Sequence, residues 1–230
     1  TTVPATDNSK KITLKLFEYM IKAEVKIIGT IKRGASIRTD KNNQPFLSFI
    51  VTIALPDAKT NTNTVDALVS YPKGQQSDVS LFAEGVRVAI QGVLDIRNKE
   101  NKLLFYLAAE SVTTDDVPDL DAISGTLSFR GHLKKEKVYE EKKDKNGNPY
   151  LVFSAYSAEK VGESFVSTWV NFMRFPEKGA AIGTVKPDWM RSKAHVCISG
   201  ELQISSYNSK VQMSCKVASM SEFVKENSQT

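Results

Sequence analysis

The chain has 230 residues, 41% of them hydrophobic and 25% charged, with 31 Lys/Arg against 26 Asp/Glu and a net charge of +5. That composition supports folded cores and excludes a disordered or membrane-embedded chain. No apolar run reaches the ~20 residues a membrane helix needs, and the N-terminal stretch has no apolar signal-peptide core, so a cytoplasmic protein with no membrane attachment is expected.

Taken in chain order, residues 12–22 fit either a strand or a short amphipathic helix. Val25, Ile27, Gly29 and Ile31 then share one face of a period-2 segment, and Leu47, Phe49, Val51, Ile53 and Leu55 share one face of the next. A turn at residues 41–45 separates them, and residues 59–64 (Lys, then alternating Thr and Asn) read as a mobile loop. Residues 77–85 open on a Ser cap and end on Gly85, the signature of a short helix. Val86, Val88, Ile90, Leu94 and Ile96 form another alternating row, followed by a turn at residues 98–102.

From residue 127 the chain repeats itself. Gly29 matches Gly131. Lys41, Asn42, Pro45, Phe46, Leu47 and Phe49 match Lys145, Asn146, Pro149, Tyr150, Leu151 and Phe153, and Gly92 matches Gly200. A duplicated stretch this long is one small domain rather than a solenoid unit. Residues 187–193 begin on Pro187 and read as the second copy's helix, while residues 221–226 read as a short capped helix. Up to residue 114 there are fifteen Lys/Arg against eleven Asp/Glu, and from residue 122 sixteen against eleven; residues 115–121 carry four acids and no base. The expected division is therefore 1–114, an acidic connector 115–121, and 122–230, with two mildly basic units that favour a polyanionic partner.

Three strands, a helix and a closing two-stranded hairpin in each copy is the order of the OB-fold, a five-stranded Greek-key barrel. The fold class expected is all-β with short helices, two such barrels in tandem. Lone glycines at 29, 92, 131 and 200 suit the sharp bends of a small closed sheet.

Alternation also sorts the rings. With Val170 and Phe172 inward, Trp169 and Phe175 face outward; with Phe153 inward, Tyr150 and Tyr156 do the same. Tyr207 falls in the outward register of the last hairpin. Large exposed rings on a basic barrel suit stacking on the bases of a single strand, with cations on its phosphates. The cations that alternation turns outward are Arg130 and Lys134, and the lysines of residues 135–145 form either a phosphate-binding hairpin or a solvated charged loop. Each ring has a plainer alternative: Trp169 as core, Phe175 as a barrel cap before Pro176, Trp189 as a plug of the barrel end. In the first copy the counterparts of Trp169, Phe175 and Tyr207 fall near Leu68, Gly74 and Lys99. Phe46 stays outward there, with Lys26, Lys32, Arg97 and Lys99 expected around it. This copy either tracks the backbone electrostatically or serves as a scaffold.

The second copy resembles the bacterial-type single-stranded DNA-binding protein (SSB) family over residues 124–220. The resemblance lies in Gly131 and Leu133, the Asn146-Gly147-Asn148 turn, Thr168-Trp169, the phenylalanine six residues later at 175, and Tyr207 seven residues after Gly200. It implies that Trp169, Phe175 and Tyr207 stack on single-stranded DNA, and that the chain works with replication, recombination or repair proteins. The two-barrel form further implies pairing as a homodimer. Two departures stand out: Val161 occupies the place of a further family tryptophan, and residues 225–230 lack the acidic tail ending in Phe through which the family recruits repair enzymes. Cys197 and Cys215 have no CxxC spacing, and no P-loop, GxSxG or dinucleotide motif occurs, so no metal, no cofactor and no enzymatic activity are expected. Two other classes share the fold, a protein-interaction adaptor and an RNA-binding OB protein.

Overall fold

The computed structural model describes residues 21–55, 63–208 and 210–224. The remaining residues include most of the Asn/Thr loop, most of the N-terminal segment 12–22 and the end of the C-terminal helix expectation, which thus lie outside the described residues. Within these limits the chain is two OB barrels built from eleven strands.

The first barrel contains β1 (Ile21–Thr39), β2 (Pro45–Ala54), β3 (Thr64–Tyr71), β4 (Arg87–Lys99) and β5 (Lys102–Thr113). It closes in the order β1-β2-β3-β5-β4-β1, with β3 and β5 parallel and the other pairs antiparallel. The second contains β6 (Ala122–Leu133), β7 (Glu140–Lys143), β8 (Pro149–Val161), β9 (Ser164–Arg174), β10 (His195–Tyr207) and β11 (Lys210–Glu222). Its order β6-β8-β9-β11-β10-β6 repeats the first, and β7 is a short extra strand on the β8 hairpin. Both hairpins turn on the same device. An aspartate, Asp40 or Asp144, accepts two backbone N–H groups of the following loop through Oδ1.

Alternation places one side of every strand inside. Phe49, Leu47, Ile53, Ile90 and Leu94 fill the first barrel, with Phe82 stacked on Phe49 at 5.4 Å as its end plug. Phe129, Phe153 and Phe172 fill the second, their centroids 5.0 and 5.1 Å apart, and Met190 and Val185 close its end. Trp189 is half-buried against that core, the plug position anticipated for it. Cys215 is fully buried, and burial pushes its thiol up to about 12; the half-buried Cys197 thiol is also raised by burial.

The expected helices are corrected. Residues 77–85 hold only a 3-10 turn at Gln76–Asp78 followed by turns, and residues 187–193 are turns preceded by a 3-10 turn at Ile182–Val185. Segments this short recover too few hydrogen bonds to offset helix nucleation, and their apolar residues are placed as plugs by packing alone. Ser221 and Glu222 likewise continue β11 instead of starting a helix. No helix among the described residues is long and apolar enough to cross a membrane.

The two barrels are joined edge to edge. Ile21–Ile28 of β1 pair antiparallel with Ala122–Phe129 of β6, which makes one sheet run β5-β4-β1-β6-β10-β11. Further contacts tie them: Asn98 Nδ2 donates to the Ser167 carbonyl at 3.0 Å, and Arg97 lies 3.5 Å from Glu159. The connector is anchored as well, since the Asp121 carboxylate takes the Arg87 guanidinium and the Ala54 N–H, both at 2.8 Å.

Gly131 shows why glycine recurs at the closure. A Cβ built there would overlap the Tyr156 carbonyl oxygen of the crossing strand and the Phe129 ring. Gly131→Ala is expected to cost about 1–3 kcal/mol by overpacking, lowering the thermal midpoint by about 2–10 °C. Thermal unfolding checks this, and an unchanged midpoint would mean that β6 and β8 have room to part.

Candidate nucleic-acid interface

The outward face of β8 and β9 is set by their register. Reading across the pair, Val152 faces Met173, Ser154 faces Asn171, Tyr156 faces Trp169 and Lys160 faces Phe165. At one end the Tyr150 and Phe175 rings are stacked, 4.8 Å apart and 13° from parallel, with Lys216 Nζ 5.8 Å from Phe175. At the other, Tyr156 and Trp169 lie 5.0 Å apart. Six residues of strand separate the two pairs, about 20 Å at strand rise. Between them Ser154 Oγ donates to Asn171 Oδ1 and Val152 faces Met173, so no charged side chain of β8 or β9 stands between the two ring pairs on this face.

These rings are open to solvent: Trp169 is 50% exposed, Phe175 40% and Phe165 71%. A shallow hollow of about 360 Å³ opens beside Trp169 and Tyr156, and Lys134, Lys135, Lys193 and Glu136 complete its lining. Among the sequence candidates, Trp169, Tyr156 and Lys134 thus meet at one place, and Tyr150 and Phe175 meet at a second on the same face. Tyr207 stands at the β10–β11 hairpin tip, 58% exposed.

Arg130 is placed differently from a free phosphate ligand. Its guanidinium lies 3.8 Å over the Phe223 ring, and its Nε donates to His195 Nε2 at 3.3 Å. His132 and His195 belong to a line of rings. Trp169, Tyr156, His132 and His195 are direct cross-strand partners on β9, β8, β6 and β10. Successive centroids are 5.0, 5.9 and 4.4 Å apart, and Phe223 adds a further ring 4.5 Å from His195. Alternation turns each of these side chains outward, but only the long-range register brings them into line. Phe165, also missed, had a signal: it shares the parity of Trp169.

The first barrel offers a different surface. Its register sets Asp66 opposite Thr52, Thr52 opposite Thr30 and Thr30 opposite Arg87, the positions of Trp169, Tyr156, His132 and His195. The counterparts of Trp169 and Phe175 are therefore Asp66 and Pro72, each two residues before the expected Leu68 and Gly74, while Lys99 does match Tyr207. Lys32 is bound to Asp66 at 2.6 Å, and Arg97 to Asp95 at 2.8 Å, a hydrogen bond that holds its guanidinium above its ordinary pKa. Phe46 is outward and half-buried opposite Arg38, at the far end of β1 from Lys26. Lys99 is exposed at the β4–β5 tip.

No protein-family model matches the chain, and no curated protein does. Among solved structures, the wild-type single-stranded DNA binding protein of Thermus aquaticus aligns at 16% identity and a TM-score of 0.43, covering 90% of this chain and 96% of that one. The S. cerevisiae mitochondrial single-stranded DNA binding protein Rim1 aligns at 19% identity and 0.34, over 44% of this chain and 96% of its own. A Plasmodium falciparum SSB in complex with ssDNA aligns at 14% and 0.31, over 44% and 94%. Likeness of this degree leaves function to be argued from the side chains.

The orientation of the two tryptophans is directly testable. Trp169→Phe is expected to remove most of the acrylamide-accessible emission, and Trp189→Phe to leave it. Equal accessibility of both indoles would contradict the outward placement of Trp169.

Proposed function

We propose that this protein binds single-stranded DNA without reading its sequence, through the unit formed by residues 122–230, in replication, recombination or repair. The observation that carries this is the pair of ring platforms, Tyr150 with Phe175 and Tyr156 with Trp169, on one solvent-facing side of β8 and β9 beside Lys134, Lys135, Lys193 and Lys216. Every base has a π-face, so stacking of this kind tolerates any sequence, and each stacked base is worth about 1–3 kcal/mol. Lysines at the platform edge supply the salt-sensitive remainder through phosphates. Tyr207 extends the ring set at the neighbouring hairpin tip.

The first barrel serves as a scaffold on this reading. The cations Lys32, Arg87 and Arg97 are matched by Asp66, Asp121 and Asp95, and the stacking position is an aspartate, which offers a base no ring face.

The test is a titration of the Trp189→Phe protein with dT oligomers of graded length at low salt. Quenching of Trp169 emission is expected, reversed by salt. With the anisotropy of fluorescein-labelled dT as the readout, Trp169→Ala and Phe175→Ala are each expected to weaken binding about five- to 150-fold, the equivalent of one lost stack. Lys134→Gln is expected to flatten the dependence of log K on log salt by about 0.7, one phosphate contact on a single strand. Emission indifferent to dT at low salt would end this reading. RNA competing as well as DNA of equal length would widen the ligand to single-stranded nucleic acid in general.

A further inference from the structure

We propose that His132 and His195 are positioning residues of the stacking site: they form the back of a ring ladder that holds Tyr156, and through it Trp169, upright on the barrel. The inference rests on the reading above and adds residues that the binding face itself does not contain.

The ladder lies where the barrel is weakest. β6 and β8 close the second barrel through only two paired positions, His132 with Tyr156 and Leu133 with Ala155. The β8–β9 ladder holds the Tyr156 backbone, but across the seam to β6 few backbone pairs act, so the side-chain contact there has a large share in setting how the Tyr156 ring stands. His132 supplies that contact, its ring 5.9 Å from Tyr156 and inclined by 29°. His132 is in turn stacked on His195 at 4.4 Å and 11°. The far end is fastened too. Phe223 donates its N–H to the His195 carbonyl at 2.8 Å, and Arg130 lies over Phe223 while donating to the His195 ring nitrogen.

His132 stacks on both Tyr156 and His195, and His195 also meets Phe223, whereas Trp169 at the other end of the line is 50% exposed. The platform face is at the Trp169 end. A histidine here thus acts through Tyr156 instead of touching the nucleobase. The duplication supplies an internal control. In the first barrel, where Asp66 replaces Trp169, the same line reads Thr52, Thr30 and Arg87, without a ring. The ladder occurs in the barrel that has the platform and is missing from the described line of the one that lacks it.

The experiment compares His132→Ala and His132→Phe in the Trp189→Phe protein. In the free protein, His132→Ala is expected to alter the near-ultraviolet circular dichroism of the Tyr156–Trp169 pair and shift Trp169 emission to the red, and His132→Phe to restore both. With dT, His132→Ala is expected to weaken binding about three- to tenfold, the scale of one aromatic contact, without changing the salt dependence, and His132→Phe to bind within about twofold of the parent. A His132→Ala protein with parental spectra and affinity overturns the proposal. So does loss in both variants with a flatter salt dependence, which would make the imidazole a phosphate ligand. If His132→Ala does not fold, the same comparison on His195→Ala and His195→Phe decides with the same outcomes. A parent protein that ignores dT sinks the binding function alone, because the spectra of the free variants still report on the ladder.

Discussion

A five-stranded barrel has an interior only a few side chains wide, and in the second copy three phenylalanines occupy it. Phe129, Phe153 and Phe172 pack face to edge and face to face at about van der Waals separation, so further large rings on the same strands have nowhere to go but out. Strand alternation converts that crowding into a surface. Trp169 is outside because Val170 and Phe172 are inside, and Tyr156 is outside because Ala155 and Ser157 are inside. The crossing strands then set the outward rings in line, and the glycine at 131 lets β6 approach β8 closely enough for His132 to reach Tyr156.

The same barrel, written twice, has been put to two uses. Core positions kept their character: Ile27 and Phe129, Phe49 and Phe153, Ile90 and Ile198 are all buried. The outer line changed completely, from rings in one copy to Asp66, Thr52, Thr30 and Arg87 in the other. There, the connector returns over the surface, and Asp121 and the Pro118 carbonyl both hold Arg87. Such divergence fits a fold whose interior fixes shape and whose exterior is free to change chemistry.

Much of the architecture was legible in the sequence because it rests on local signals. Period-2 rows, glycines within apolar rows and the matched turns at 41–45 and 145–149 give strands, bends and hairpins in order. The outward parity of Trp169, Tyr150, Tyr156 and Tyr207 follows from the same rule. What escaped depends on relations between distant segments. The two-residue displacement of Asp66 and Pro72 from Leu68 and Gly74 is set by how β3 pairs with β2. The alignment of His132 with His195 depends on the β6–β10 register, which no local pattern encodes. The two helices misread at 77–85 and 187–193 show the opposite failure: good end signals on segments too short to use them.

The edge pairing of Ile21–Ile28 with Ala122–Phe129 changes how the molecule responds to dilution. Two separate barrels zipped together in this way would part as their concentration fell. Carried on one polypeptide, with the short span 114–121 between them, the two edges meet at an effective concentration on the order of millimolar however few molecules are present. A complex that mass action would otherwise govern becomes a fixed property of each chain.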